Sequence, residues 1–346
     1  MEPVESQKQR ADDFCREILP AVSRTFAVSI RLLPGDLGAA VRCAYLICRI
    51  ADTLEDEPNL PADSKAGLLD LLTHCFDDAR SVAAFVAAVG PVTGDPAHIR
   101  LIRGSDLVFA TYRALPRGTQ PLVERWTREM IVGMRKFVLA YPNGVRIQTL
   151  AEYKEYCYYV AGTVGFLLTD LWQEHSSSIG PRRHAELRER CQAFAEALQT
   201  VNILKDVTRD AEHENSIYIP EQLLRAHGSA HATILAADRS SQNRAALREM
   251  TELAWRDLDE AKAYLLAIPR RAVAIRLFCA LPLLFAYATL RDLTRSSDIP
   301  GRRGVVKISR SEVKSLTLLS VVGVLSNRAM ARLVERARRK PVLVVP

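Results

Sequence analysis

Apolar residues recur along this chain at steps of three and four almost from end to end, and the alternation that marks a half-buried strand is nearly absent. Ala, Leu, Arg and Glu, all good helix formers, are abundant. Breakers interrupt the pattern at Pro34-Gly35, Pro58 to Pro61, Gly90-Pro91 to Pro96, Pro116 to Gly118, Pro142 to Gly144, Gly180-Pro181 and Pro300-Gly301. The segments between them run to about 12–30 residues, which predicts an all-α fold of roughly 10–13 helices. No Gly/Ser-rich linker splits the chain and no repeat of fixed period is present. The expectation is therefore one helical domain over residues 19–330, preceded by a polar segment (1–18) and followed by a basic tail (331–346).

Two of the predicted helices carry a polar stripe on an otherwise apolar body. In "YLICRIADTLED" (45–56), Tyr45, Arg49, Asp52 and Asp56 step by four, three and four. In "LQTVNILKDVTRD" (198–210), Gln199, Asn202, Asp206 and Asp210 step by three, four and four. Acids one turn apart repel by roughly 0.2–0.5 kcal/mol on an exposed helix. One such pair is most often a solvated face. Two of them, each sharing its stripe with an Arg or an amide, are harder to explain that way. Lys205 and Arg209 sit beside the second stripe rather than on it. A shared cation relieves the repulsion, and oxygen donors without His or Cys suit a hard ion, Mg²⁺ with Mn²⁺ as a substitute. Mg²⁺ keeps several waters and typically brings a phosphate ligand. The pattern thus predicts a diphosphate held between two acidic helices of an apolar bundle, with Arg49, Arg24 and Lys307 as further phosphate contacts. When a diphosphate leaves, a carbocation remains, and a dry pocket with aromatic faces protects it.

The chain has 346 residues, is 48% hydrophobic and carries a net charge of +7. Part of the excess is local, in "GRRGVVKISR" (301–310) and "RLVERARRK" (332–340). A basic balance suits an anionic ligand or an acidic membrane surface. Nucleic acid is not expected, because no recognition motif accompanies the charge. The seven Cys lack paired spacing; Cys43, Cys48, Cys157 and Cys279 read as small core residues in a reducing compartment. Neither CxxC nor HExxH is present, which argues against a thiolate or zinc site. The polar start lacks a signal-like apolar run, and "LFCALPLLFAYATL" (277–290) falls short of the ~20 residues of a spanning helix. A cytoplasmic monomer is expected, with peripheral membrane contact for product release left open.

Four ordered motifs, "SRTFAVSIRLL" (23–33), "YLICRIADTLED", "EYCYYVAGTVG" (155–165) and "LQTVNILKDVTRD", resemble the head-to-head prenyl synthases, the squalene and phytoene synthases. The resemblance runs from about residue 20 to 320. Within the family, "DTLEDEPNLPADSKAGLL" (52–69), "LFCALPLLFAYATL" and "GVVKISR" (304–310) are more similar to squalene synthases. It implies an isoprenoid-synthase helical bundle with a central active-site cavity. It also implies condensation of two farnesyl diphosphates to presqualene diphosphate, then reduction by NADPH to squalene. Asp52 and Asp56 would hold Mg²⁺ on one diphosphate, and Asp206 and Asp210, with Asn202, on the other. Ser23, Arg24, Tyr45, Arg49 and Gln199 would contact substrate, and Tyr156 would be the acid/base of the first half-reaction. Phe26 and Phe278 match aromatic positions near the cation, and Gly162 and Gly165 would allow a helix bend or close prenyl packing. Lys307 and Arg310 would lie near the nicotinamide cofactor; no GxGxxG motif is present, so NADPH is implied by resemblance alone.

Four departures stand out. Arg276 occupies a position where the family has Phe and bears on the reductive half-reaction. Ser216 replaces a basic residue, and Lys205 stands where Arg is usual. The hydrophobic C-terminal anchor of eukaryotic squalene synthases is not seen in "RRKPVLVVP". The alternatives are a dehydrosqualene, phytoene or presqualene diphosphate synthase, or a helical scaffold without activity.

Overall fold

The computed structural model describes residues 4–23, 26–296 and 307–343. The fold is all-α: among the described residues there is no strand, only an isolated bridge between Arg146 and Ile217. Most of the breakers predicted from sequence fall at helix ends. Pro34 precedes Gly35–Asp56, Pro61 precedes Ala62–His74, and Gly180 precedes Pro181–His213. Several helices are shorter than expected, including Phe26–Ile30, Pro96–Arg103, Ser105–Arg113 and Leu150–Cys157. Side-chain caps start two of these short pieces: the Asp95 carboxylate and the Thr149 hydroxyl accept the Ala97 and Glu152 backbone N–H groups at 2.8 and 3.1 Å.

The chain forms two compact units, residues 1–143 with 166–176, and residues 144–165 with 177–346. In the first, Gly35–Asp56 is the hub. It packs against Val4–Val22, Ala62–His74, Pro96–Arg103, Ser105–Arg113 and Gln120–Ala140. Its Leu46, Ile47, Ile50 and Leu54 have no exposed surface. Packed on several sides, this helix has only a narrow stripe left for polar groups. The expected boundary at residue 18 falls inside Val4–Val22, whose Ala11, Cys15, Ile18 and Leu19 are buried.

In the second unit, Pro181–His213 packs along Ser240–Ala267, and both meet Val273–Arg295. That last helix is long and apolar enough to cross a membrane, which the sequence reading had denied to this segment. Yet 78% of its most apolar window is buried, as in the core helix of a soluble protein. Two buried arginines extend it beyond the apolar run. Arg291 makes a bidentate ion pair with Glu312 (2.8 and 3.0 Å) and donates to the Ala337 carbonyl. Arg276, wholly buried, donates to the carbonyls of Ile268 (2.5 Å) and Val324 (2.9 Å) and to Asn327 Oδ1 (2.9 Å). These contacts fix the C-terminal helices Arg310–Gly323 and Asn327–Arg339 onto the core. The latter buries Met330, Leu333, Val334 and Ala337, so the basic tail expected from residue 331 begins within a packed helix. All seven Cys are free, and all but Cys48 are buried.

Candidate active site

In the first unit the predicted stripe lies on one helix, and its Tyr45, Arg49 and Asp52 touch. Arg49 Nη2 donates to Tyr45 Oη at 3.3 Å, and Arg49 Nη1 lies 3.4 Å from Asp52 Oδ2. The Phe26 and Tyr45 rings lie 5.9 Å apart, and Ser23 Oγ accepts the Phe26 N–H at 3.2 Å. Asp52 is half-buried, whereas Asp56, the last helical residue, is exposed. No basic residue occupies the last turn, where the helix dipole disfavours negative charge. Burial raises the Asp52 carboxyl above its usual range, and the Arg49 and His98 charges only partly oppose this. Burial alone would lower the Arg49 pKa, but Asp52, Tyr45 and Asp56 together hold it above the ordinary value. Arg49 Nε is buried and has no hydrogen-bond partner. Arg24 lies outside the described residues.

His98 was not anticipated. It projects from Pro96–Arg103 near Asp52 and Arg49, and burial, followed by the Arg49 charge, lowers its pKa. Nothing in "GDPAHIR" marks this residue; only tertiary packing brings it to the stripe.

In the second unit the other stripe lies near the C-terminal end of Pro181–His213. Here one expectation needs correction. Lys205 does not stand aside: its Nζ lies 3.1 Å from Asp206 Oδ2 and donates to Asn202 Oδ1 at 3.4 Å. Its flexible four-carbon stem swings the charge onto the stripe, so part of the repulsion is relieved without a metal. Arg209 pairs instead with Glu214 at 2.9 Å. Asp210 is buried, Gln199 and Asp206 are half-buried and Asn202 is exposed.

Ser216, the replacement for a family basic residue, holds the turn after this helix. Its N–H donates to the Asp210 carbonyl (3.0 Å) and its Oγ accepts the Val145 N–H (3.1 Å). A cation does reach the turn, since Arg146 donates to Asn215 Oδ1 at 2.6 Å.

Tyr156 is buried, and its ring stacks on Tyr218 with centroids 4.9 Å apart. Immediately after it, Tyr158–Gly162 forms a π-helical turn, a local distortion common at functional sites. Gly162 closes that turn, and an added Cβ would lie 3.2 Å from Gln192 Cγ. At Gly165 an added Cβ would lie 2.3 Å from the Cys191 carbonyl oxygen, so this glycine serves a close backbone crossing. Phe278 is buried in the core helix Val273–Arg295. Lys307 and Arg310 are exposed, and residues 304–306 of their motif lie outside the described residues. Arg276 is satisfied by three protein acceptors, which gives the departure a structural role.

The second unit also holds a carboxylate pair that no motif indicated. Burial raises Asp257 to about 6, and burial also raises Glu196, with Asp257 adding to the effect. Both are half-buried, and Lys154 partly offsets each. A folded-state pKa above the unfolded one means that ionisation opposes folding, so this penalty is absent below the unfolded pKa and full above about 6. Asp257→Asn is therefore expected to raise Tm at pH 7.5 and leave it nearly unchanged at pH 4. An equal shift at both pH values would contradict the assignment.

The donor set fits a hard divalent ion. Among the described residues no group of three or more His, Cys, Asp or Glu has metal-binding spacing. A Mg²⁺ held by one or two carboxylates, with water and phosphate oxygens completing its shell, needs no such group. The partnerless Arg49 Nε suits an incoming phosphate oxygen.

Known proteins resemble this chain in sequence and in fold. The squalene synthase of Schizosaccharomyces pombe is 29% identical over 309 residues, spanning 89% of this chain and 64% of that relative. Squalene synthase BSS of Botryococcus braunii is 31% identical over 314 residues, again 89% of this chain and 64% of the relative. The chain thus spans slightly less than two thirds of either relative's length. The solved complex of TcSQS with the ligand BPH1237 has a TM-score of 0.79 at 24% identity, covering 95% of this chain and 98% of that one, a likeness of fold. The family model for squalene/phytoene synthase matches residues 19–312, and with both acidic stripes inside that span the chain belongs to the squalene/phytoene synthase family.

Proposed function

We propose that this protein is a squalene synthase, joining two farnesyl diphosphates head to head into presqualene diphosphate and reducing that intermediate to squalene. The observation that carries the reading is the half-buried Arg49 side chain, held by Tyr45 and Asp52 with its buried Nε left for an anion. When bound, Mg²⁺ supplies charge neutralisation to the departing diphosphates, and NADPH supplies a hydride. Asp52 and Asp56 would hold the metal at one diphosphate, and Asp206, Asp210 and Asn202 at the other. Arg49 and Tyr45 then donate to phosphate oxygens, as do Ser23 and Arg24. On binding, Lys205 exchanges its Asp206 contact for phosphate, which keeps its charge paired.

Tyr156 moves the proton. Forming the cyclopropane of presqualene diphosphate releases one diphosphate and one proton, and the Tyr156 oxygen takes part in that transfer. Stacking against Tyr218 fixes the ring and limits where the oxygen can point. Phe26 and Phe278 present aromatic faces to cationic character, and the apolar surroundings exclude water. In the second step the remaining diphosphate leaves, and Lys307 and Arg310 would hold the cofactor that supplies the hydride.

The stoichiometry of diphosphate release tests this reading. One diphosphate per presqualene diphosphate is expected from farnesyl diphosphate and Mg²⁺, and two per squalene when NADPH is added. No release under either condition would leave the inactive-scaffold alternative standing.

A further inference from the structure

Four strongly exposed large apolar side chains follow one another in the second unit, and a fifth lies at the start of the core helix. Leu318, Val321, Val322 and Leu325 are 53%, 52%, 77% and 60% exposed, and Val273 is 37% exposed. The first three lie at helical steps of three and four on Arg310–Gly323, forming one outward face that runs on into the turn at Leu325. Buried Arg276 ties that turn to the start of the core helix: it binds both the Val324 and Ile268 carbonyls, while Asn327 Nδ2 donates to the Leu266 carbonyl at 3.1 Å. The apolar face therefore continues toward Val273, next to exposed Arg270 and Arg271.

The rim is basic. Lys314, Arg328 and Arg332 are exposed beside the apolar positions. Residues 313–334 and 261–291 contain no Asp or Glu at all. The nearest acid on the helix, Glu312, is buried and paired with Arg291. An apolar face with a cationic rim and no exposed acid matches a lipid surface bearing negative headgroups. A second copy of the chain is a poor occupant, because facing copies would bring like-charged rims together.

We propose that the face formed by Leu318, Val321, Val322, Leu325 and Val273 docks the protein on an anionic phospholipid surface as an interfacial, non-spanning contact. The proposal does not depend on which product the enzyme makes. Flotation with vesicles of phosphatidylcholine alone, or of phosphatidylcholine mixed with phosphatidylglycerol, tests it directly. Binding is expected to the mixed vesicles and to weaken with added salt, since each basic residue near the surface strengthens partition roughly fivefold. Leu318→Asp/Val322→Asp is expected to weaken partition by about tenfold or more with unchanged Tm, because both side chains are already exposed. Arg328→Glu/Arg332→Glu is expected to abolish the preference for the anionic vesicles. Failure of the full chain to float with the mixed vesicles would overturn the proposal, as would equal flotation of the Asp variant. So would a concentration-dependent dimer that the Asp variant abolishes, since it would make a second copy the occupant.

Discussion

Asp52→Asn and Asp206→Asn are each expected to lower turnover by roughly 10²–10³-fold or more while helical content stays unchanged, the usual scale for losing a preorganised electrostatic contact to developing charge. The two stripes are proposed to act on separate diphosphates, so neither substitutes for the other. Stability is expected to respond differently. Asp206 pairs with Lys205 in a partly exposed contact, and its loss costs no more than about 1 kcal/mol. Asp52 is held in a setting that raises its carboxyl, with Asp56 one turn away, so a neutral amide removes an unfavourable charge. The metal-free Asp52→Asn protein should thus melt no lower than wild type. Steady-state turnover with thermal melting checks both halves. Near-wild-type turnover in either variant would remove that stripe from the reaction.

Tyr156→Phe is expected to slow the first condensation by ~10²–10⁴-fold, the range general acid–base help supplies. The ring and its stacking on Tyr218 survive the change, so diphosphate binding should hold. Single-turnover formation of presqualene diphosphate, measured beside binding of an unreactive farnesyl diphosphate analogue, separates the two effects. An unchanged rate would reduce Tyr156 to a packing residue.

The acidic stripes were legible because a helix writes its faces into sequence at fixed steps. Tyr45, Arg49, Asp52 and Asp56 needed no tertiary knowledge to be placed together. His98 was not legible, because its place beside Asp52 comes from the packing of a separate short helix. Lys205 was misjudged for another reason: spacing locates Cβ atoms, whereas a long side chain carries its charge one residue over. The apolar run 277–290, bounded by Arg276 and Arg291, is shorter than the helix that contains it, Val273–Arg295. Both arginines are buried, neutralised or capped by groups from distant segments, and a periodicity argument cannot supply those partners. Charge alone suggests a tail at the C-terminus, yet Met330, Leu333, Val334 and Ala337 fall on one helical face.

Product analysis is the most direct test of the squalene synthase reading. Purified protein is incubated with farnesyl diphosphate and Mg²⁺, with and without NADPH, and the lipids are identified by mass spectrometry. Presqualene diphosphate requires no reductant, because it forms by cation capture and proton loss. Squalene requires a hydride that no side chain can supply. Squalene with NADPH, and presqualene diphosphate or cation-derived alcohols without it, is the expected result. Dehydrosqualene or phytoene as the main product with NADPH present would contradict it.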